Sequence, residues 1–415
     1  MSAINKPIIL RALTFIAAST FLCYEMTLQV ALAVVTQPLM AATGLNASHL
    51  GWLSACYFFA YTVMQIPAGL LFDRFSCRNV MFLSALCCAV GALLFGLFHN
   101  NIFAIYIGRF LIGAGSAFPF VGLLIVATNC FNAKHFPMFV GITQILAALG
   151  ALLGSAPLAK IVIKLGWITA MEYMAITGII CVALMFFGLH ILRRTEIKAQ
   201  KNNVLTSIGI ITKNKKTWKI AAYAFFNWGP MIILSSMWGE PFLIEKLGVN
   251  VEQSADIIQF LWIGLSIGSF TIGAIAKTKE SQRAFMISCA TIGFIASLTF
   301  LYSDISNLYL YYILSLLIGI ASAGQILSFS MVRAINKDDV VGTAIGFNNM
   351  CVVAGGFILQ PIIGELLQIF WDHSMVNNAP HYDIHAFDIS LSIVPVCYAA
   401  SILAAKYIMG KQDAS

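Results

Sequence analysis

Charge is what this sequence lacks most. Only 10% of its 415 residues are Asp, Glu, Lys or Arg, against 60% hydrophobic, and the mean hydropathy is +0.87. A soluble domain carries about a quarter charged residues, so a chain this apolar cannot hide its surface in its own interior and needs lipid as solvent. Long hydrophilic insertions are also missing. Connections between apolar stretches are short except at 192–217 and 371–387, which leaves no room for a soluble catalytic domain. Histidine is absent from segment centres: His49, His99, His135 and His190 all lie at ends. An intramembrane enzyme would need a nucleophile–base pair or a metal cluster within its helices, and the chain reads as a non-enzyme without cofactor. No cysteine falls in an outer loop; Cys23, Cys56, Cys87, Cys88, Cys181, Cys289, Cys351 and Cys397 lie within segments, and Cys77 and Cys130 at inner ends. We therefore expect no disulfides, with most of these thiols acting as small apolar fillers.

What is present is a series of twelve apolar segments, near 12–38, 49–72, 79–98, 102–127, 136–159, 167–191, 218–244, 254–276, 284–302, 307–331, 341–369 and 388–409. Each is long enough for a spanning helix of about 20 residues. The first is too long, and too polar at Glu25 and Gln29, to read as a cleaved signal peptide. The net charge of +7 does not point to nucleic acid, because of where it sits. With a cytoplasmic N-terminus, 20 of the 24 Lys and Arg residues fall on the inner side, and only Lys160, Lys164 and Lys246 on the outer. That bias puts both termini inside. Short outer loops favour a bacterial inner membrane.

The chain also repeats itself. YIGRFLIGAGSA (106–117) and YILSLLIGIASA (312–323) share seven of twelve positions at an offset of 206, and GITQ (141–144) faces GFNN (346–349) at 205. Segment four matches ten and five matches eleven. The expected organisation is an all-α integral membrane protein: twelve transmembrane helices in two pseudo-symmetric six-helix bundles, 1–192 and 218–415, joined by a basic cytoplasmic linker, 193–217. Parallel six-helix repeats with a solute site between them near the midplane are a transporter architecture. A channel would need a ring of like filter groups, usually through oligomerisation; duplication favours a monomeric two-lobed carrier.

After segment two the chain reads GLLFDRFSCR, from Gly69 to Arg78, a G-x-x-x-D-R-x-x-x-R pattern. This resembles the signature loop of the major facilitator superfamily, and RFLIGAGSA in segment four resembles that family's R-x-x-x-G-x-G motif. The resemblance implies the major facilitator fold and secondary active transport by alternating access. It also implies a conformational latch of Gly69, Asp73, Arg74 and Arg78, with Gly69 permitting close approach to helix eleven. Ser76 and Cys77 depart from the usual loop pattern. The second-half counterpart, GAIAKTKESQR, carries Lys277 where the acid belongs, so the latch is one-sided.

The resemblance further implies that helices one, four, seven and ten line a central cavity. Glu25 stands 14 residues past Arg11, roughly 20 Å along a helix and so near mid-membrane. Arg109 enters segment four from the other side. A buried acid held between desolvation and a neighbouring cation can exchange a proton, and Arg109 could hold a carboxylate or phosphate through two hydrogen bonds. Intramembrane ionisable residues are functional by default; the alternative for this pair is a static ion pair aligning two helices. Further solute-contact candidates are Tyr24, Gln29, Tyr57, Tyr61, Gln144, Asn227, Trp228, Gln325, Asn348 and Asn349, each equally able to bond a neighbouring helix. Pro230, in NWGP, frees a carbonyl in mid-helix seven and marks a site border or hinge. The remaining helix acids, Glu172, Glu240, Asp256 and Glu365, read as lying near outer ends.

The expected activity is proton-coupled symport of a small polar or anionic organic solute, with solute, protons and lipid as partners. The alternative is a proton-driven antiporter exporting drugs, siderophore-like compounds or metabolites. Against it, GALLGSAP (150–157) lacks the adjacent Gly-Pro of the family's antiporters. A uniporter is a further reading. His373, His381, Asp383 and His385 crowd the long outer loop; their spacing could bind metal or sense pH, but the ordinary reading is a solvated loop without a metal.

Overall fold

The computed structural model describes residues 6–132, 135–192, 204–276, 278–336, 340–376 and 378–408. Twelve of its helices are long and apolar enough to cross a membrane. In the first half they are α1 (Ile8–Thr43), α2 (Ala47–Phe72), α3 (Cys77–Leu97), α4 (Ile102–Cys130), α5 (Gly141–Leu165) and α6 (Trp167–Gly188). In the second half they are α7 (Lys215–Leu247), α8 (Val251–Ile275), α9 (Glu280–Tyr302), α10 (Leu308–Ile335), α11 (Val341–Ile369) and α12 (Ile384–Ile408). The shortest has 21 residues, about 32 Å at 1.5 Å per residue, enough for a hydrocarbon layer of about 30 Å. Large apolar side chains such as Phe103, Phe270 and Ile9 stand exposed on the surface, as lipid-facing residues would. The architecture is an all-α membrane fold.

Contacts divide the chain into two compact units, one comprising residues 1–35 and 56–200, the other 36–55 and 201–415. Within the first, α3 packs on α4 and α6. Within the second, α9 packs in the same way on α10 and α12. The repeat extends below the level of packing. Asn101 caps α4, its Oδ1 accepting from the Phe103 amide at 3.0 Å, and Asn307 caps α10 through the Tyr309 amide at 2.9 Å. Gly113 of α4 lies so close to α2 that an added Cβ would stand 2.1 Å from the Tyr57 carbonyl oxygen; at Gly319 of α10 it would stand 2.1 Å from that of Leu261 in α8. Both pairs, Asn101/Asn307 and Gly113/Gly319, keep the offset of 206. The same helix start and the same backbone-to-backbone contact thus occur once per half. Small residues permit such approaches where lipid gives no hydrophobic drive for helix association.

Helix α7 is interrupted. Pro230 sits within it, Leu234–Trp238 forms a turn widened to π geometry, and Pro241 follows. The Gly239 amide bonds back five residues to the Leu234 carbonyl. Proline has no N–H and its ring presses on the carbonyl four residues earlier; two prolines flanking one turn account for its opening. The helix closes at Gly248, whose φ of +63° is the left-handed geometry glycine accepts without strain.

Two connections depart from the sequence expectation. The linker contains a ten-residue helix, Val204–Lys213. The loop between α11 and α12 is structured, not simply solvated. It carries a two-stranded hairpin (Met375–Val376 with Ala379–Pro380). Its His381 ring meets the Glu245 carboxylate of α7 at 2.8 Å, and Asp383 caps α12 through the Ala386 amide at 2.9 Å. Tyr382 accepts from the Ala47 amide at 2.9 Å and donates to Gln368 at 3.1 Å. Hydrogen bonds from Ser374 hold the Asp372 carboxyl below the usual range. Two members of the histidine-rich pattern are therefore engaged in holding the loop. Among the described residues no three His, Cys, Asp or Glu side chains come together as a metal site.

Candidate functional site

The first unit buries a polar cluster among α1, α2, α3 and α4. Glu25 is 2% exposed and Arg109 3%. Glu25 comes from the centre of α1, one helical turn before Gln29, so the two share a face. The Tyr57 hydroxyl of α2 donates to Glu25 Oε1 at 2.9 Å and lies 3.3 Å from Gln29 Oε1. Over the other part of the Tyr57 side chain lies Arg109, its guanidinium carbon 4.8 Å from the ring centroid. Arg109 Nη1 donates to the Leu28 carbonyl of α1 at 3.0 Å. Ser116, two turns beyond Arg109 on α4, stands beside both the carboxylate and the phenol, with Cys88 of α3 4.0 Å from its hydroxyl.

The alternative reading, a direct static ion pair, differs from this geometry. Among the described residues no cation lies within 4.0 Å of Glu25; the aromatic ring of Tyr57 stands between acid and guanidinium. The backbone of Tyr57 is pressed against α4 at Gly113, which brings its side chain within reach of both groups.

Arg109 keeps unused capacity. Its Nε and Nη2 have no hydrogen-bond partner among the described residues. These two N–H groups share one edge of the planar guanidinium, the edge that forms a two-pronged fork for a carboxylate. Arg109 is also one wall of a cavity of about 10 Å³, whose other walls include Leu28, Leu32, Phe95, Ile112 and Met171. That is room for about one water. An organic anion reaches the fork only if the helices around it part.

The remaining candidates divide. Tyr61 joins the cluster, its ring centroid 6.0 Å from that of Tyr57. Tyr24 is buried but turns toward α6, where its hydroxyl lies 2.5 Å from the place a Gly178 Cβ would take. Gln144 is half-buried on α5. In the second unit, Asn227 is fully buried with both amide atoms lacking partners among the described residues. Asn348 donates to Ser328 at 2.8 Å and leaves its Oδ1 unpaired, and Gln325 leaves its Oε1 unpaired. Trp228 and Asn349 are half-buried.

The latch residues fare unevenly. The Asp73 side chain lies outside the described residues. Arg74 is exposed. Arg78 is buried, donating through Nε to the Phe186 carbonyl at 2.8 Å with its guanidinium 4.2 Å from that residue's ring centroid. An added Cβ at Gly69 would meet nothing within 4 Å among the described residues.

Sequence reasoning missed Ser116, although it lies in the same RFLIGAGSA stretch as Arg109. Glu240, read as lying near an outer end, stands seven residues before the end of α7 at Leu247 and is 2% exposed. The signal was Pro241 directly after it, which ties that stretch to the interrupted part of α7.

The Major Facilitator Superfamily profile matches residues 14–360. This chain belongs to that superfamily. It is 22% identical over 371 residues to the uncharacterised transporter YybO of Bacillus subtilis (strain 168), covering 82% of this chain and 84% of that protein. It is 22% identical over 347 residues to a protein of Arabidopsis thaliana named probable anion transporter 5, covering 71% and 79%. A crystal structure of a bacterial homologue of the human lysosomal transporter Spinster superposes with a TM-score of 0.75 at 15% identity, covering 97% of each chain. The superfamily member described here is therefore a membrane transporter, not an enzyme.

Proposed function

We propose that this transporter is a proton-coupled symporter for a small organic anion, working by alternating access. The observation that carries the reading is Glu25: a carboxylate at mid-helix, 2% exposed, with a phenol donor and no cation within 4.0 Å among the described residues. An ionised carboxylate so placed is costly to bury, and taking up a proton relieves that cost. Arg109 supports the anionic substrate, because its free edge offers two donors and a charge that is never lost. One of its relatives carries the name of an anion transporter, in line with this choice.

In this reading the bundles 1–192 and 218–415 are the moving lobes of a monomer, with 193–217 connecting them on the cytoplasmic side. Both termini are cytoplasmic in a bacterial inner membrane, as the distribution of Lys and Arg supports. Arg74 and Arg78 belong with Asp73 to a cytoplasmic latch. Gln29, Tyr57, Tyr61, Asn227, Gln325 and Asn348 supply hydrogen bonds to the solute as each half opens; Tyr24, Gln144, Trp228 and Asn349 take weaker parts.

The test starts with a thermal-shift screen of organic carboxylates and sulfonates on purified protein at acid and neutral pH. Hits go into proteoliposomes with Glu25→Gln. The variant should lose accumulation driven by a pH gradient yet retain counterflow. A Glu25→Gln transporter that still concentrates solute in step with the gradient would end the symport reading.

A further inference from the structure

The Tyr57 hydroxyl has one hydrogen and two acceptors in reach, Glu25 Oε1 at 2.9 Å and Gln29 Oε1 at 3.3 Å. The same side chain carries Arg109 on its ring face, 4.8 Å from guanidinium carbon to centroid. Its backbone is fixed against α4 at Gly113, and Arg109 in turn holds the Leu28 carbonyl, between Glu25 and Gln29 on α1. One phenol thus touches the acid with its oxygen and the guanidinium with its ring.

Resting on the proton-coupled reading above, we propose that Tyr57 relays the protonation of Glu25 to Arg109 by exchanging its hydroxyl hydrogen bond between Glu25 and Gln29. With Glu25 ionised, the phenol donates to the carboxylate and the ring is held under the guanidinium. A proton from the aqueous side adds to the carboxylate, giving a neutral acid whose O–H is now a donor. It donates to the Tyr57 oxygen, and the phenol hydrogen turns to Gln29 Oε1. The phenol stays un-ionised throughout, and the only net change is one proton bound and one negative charge lost. The ring loses its charge-assisted anchor, the stronger of its two hydrogen bonds, and with it the fixed platform for Arg109. A cation over an aromatic face is held more strongly where water is excluded, so shifting the ring alters how tightly the fork is held for an anion. Tyr57 acts here as a positioning residue.

Other titratable groups bear on the same acid. Tyr61 faces it from α2 and Cys88 from α3, Cys23 precedes it on α1, and Arg109 approaches from α4 across the Tyr57 ring. From α6, Cys181 faces Tyr24 and Cys88. None of these shares Tyr57's contact with both partners.

Infrared difference spectroscopy of the purified, lipid-reconstituted protein tests the relay without a solute, protons being the probe. Acidification of the native protein should produce a buried carboxylic C=O band, absent in Glu25→Gln. It should also shift a guanidinium band, identified by isotope-labelled arginine and absent in Arg109→Lys. In Tyr57→Phe the C=O band should persist and move to higher frequency, having lost its hydrogen bond, while the guanidinium shift is lost. Gln29→Leu, which leaves Tyr57 intact, should keep the C=O band and likewise lose the guanidinium shift. A guanidinium shift that survives in both variants overturns the relay alone. A native protein with no C=O band, or one that persists in Glu25→Gln, overturns the Glu25 proton site and the relay with it.

Discussion

Gly113 and Gly319 offer a matched pair of perturbations, one per half. An alanine Cβ at either would sit 2.1 Å from a facing main-chain oxygen, that of Tyr57 or of Leu261. Non-bonded heavy atoms pack at about 3.5 Å, so each substitution drives two helices apart by roughly 1 Å. Neither obstacle is a side chain that can turn away, and overpacking of this kind costs about 1–3 kcal/mol. Gly141→Ala and Gly346→Ala are the controls, because an added Cβ there meets nothing within 4 Å. Exchanging glycine for alanine in a helix gains about 0.5–1 kcal/mol at all four positions alike, so the tests differ from the controls by the overpacking cost alone, roughly 1–3 kcal/mol. Heating followed by size-exclusion chromatography should rank Gly113→Ala and Gly319→Ala well below the native protein, and the controls at or above it. The two tests should then part company. Gly113→Ala displaces Tyr57 and should disturb the acid-induced infrared change of Glu25, whereas Gly319→Ala acts in the other unit and should leave it alone. Equal stability of all four variants would refute the close helix contacts on which this reasoning rests.

Arg109→Lys removes the two-pronged fork while keeping a cation. Solute affinity should fall at least tenfold in thermal-shift titrations, since a single ammonium nitrogen cannot reproduce the planar two-nitrogen edge. Removing either helix cap, Asn101→Ala or Asn307→Ala, should cost about 1 kcal/mol, read as matched losses of thermal stability in the two halves. Burial pushes the Tyr382 phenol up to about 12, above its ordinary value of about 10. For an acid whose folded value is raised, the stabilisation is complete below the unfolded value and drains away as pH climbs from about 10 to about 12. Tyr382→Phe should flatten the fall in thermal stability across that alkaline window. His381→Ala should detach the hairpin from Glu245 and raise hydrogen exchange in residues 371–383; unchanged protection there would show that the 2.8 Å contact does not hold the loop.

Most of the fold could be read from the residues because it follows from one quantity, the scarcity of charge over twelve stretches of spanning length. The repeat was visible in YIGRFLIGAGSA, and the caps at Asn101 and Asn307 lay in plain view at the same spacing. That Glu25 and Arg109 stand within the spanning segments was legible as well, since a charge in lipid is conspicuous on composition alone. How the two are connected was not. The interposition of Tyr57 depends on how near α2 comes to α4, and a glycine announces only that closeness is permitted. At Gly69, the same residue type, an added Cβ would meet nothing within 4 Å among the described residues. The burial of Glu240 was not legible, because counting residues from a helix end measures depth but not what packs around it.

Helix α7 holds one more implication, a mechanical one. Pro230 and Pro241 each remove a rung from the ladder of main-chain bonds, eleven residues apart, with the widened turn between them. Elsewhere, flexing a rod in hydrocarbon means breaking rungs at several kcal/mol apiece. Here the rungs are gone beforehand, so compliance is concentrated in a joint roughly three turns long, and a load on either end of α7 will be taken up there first.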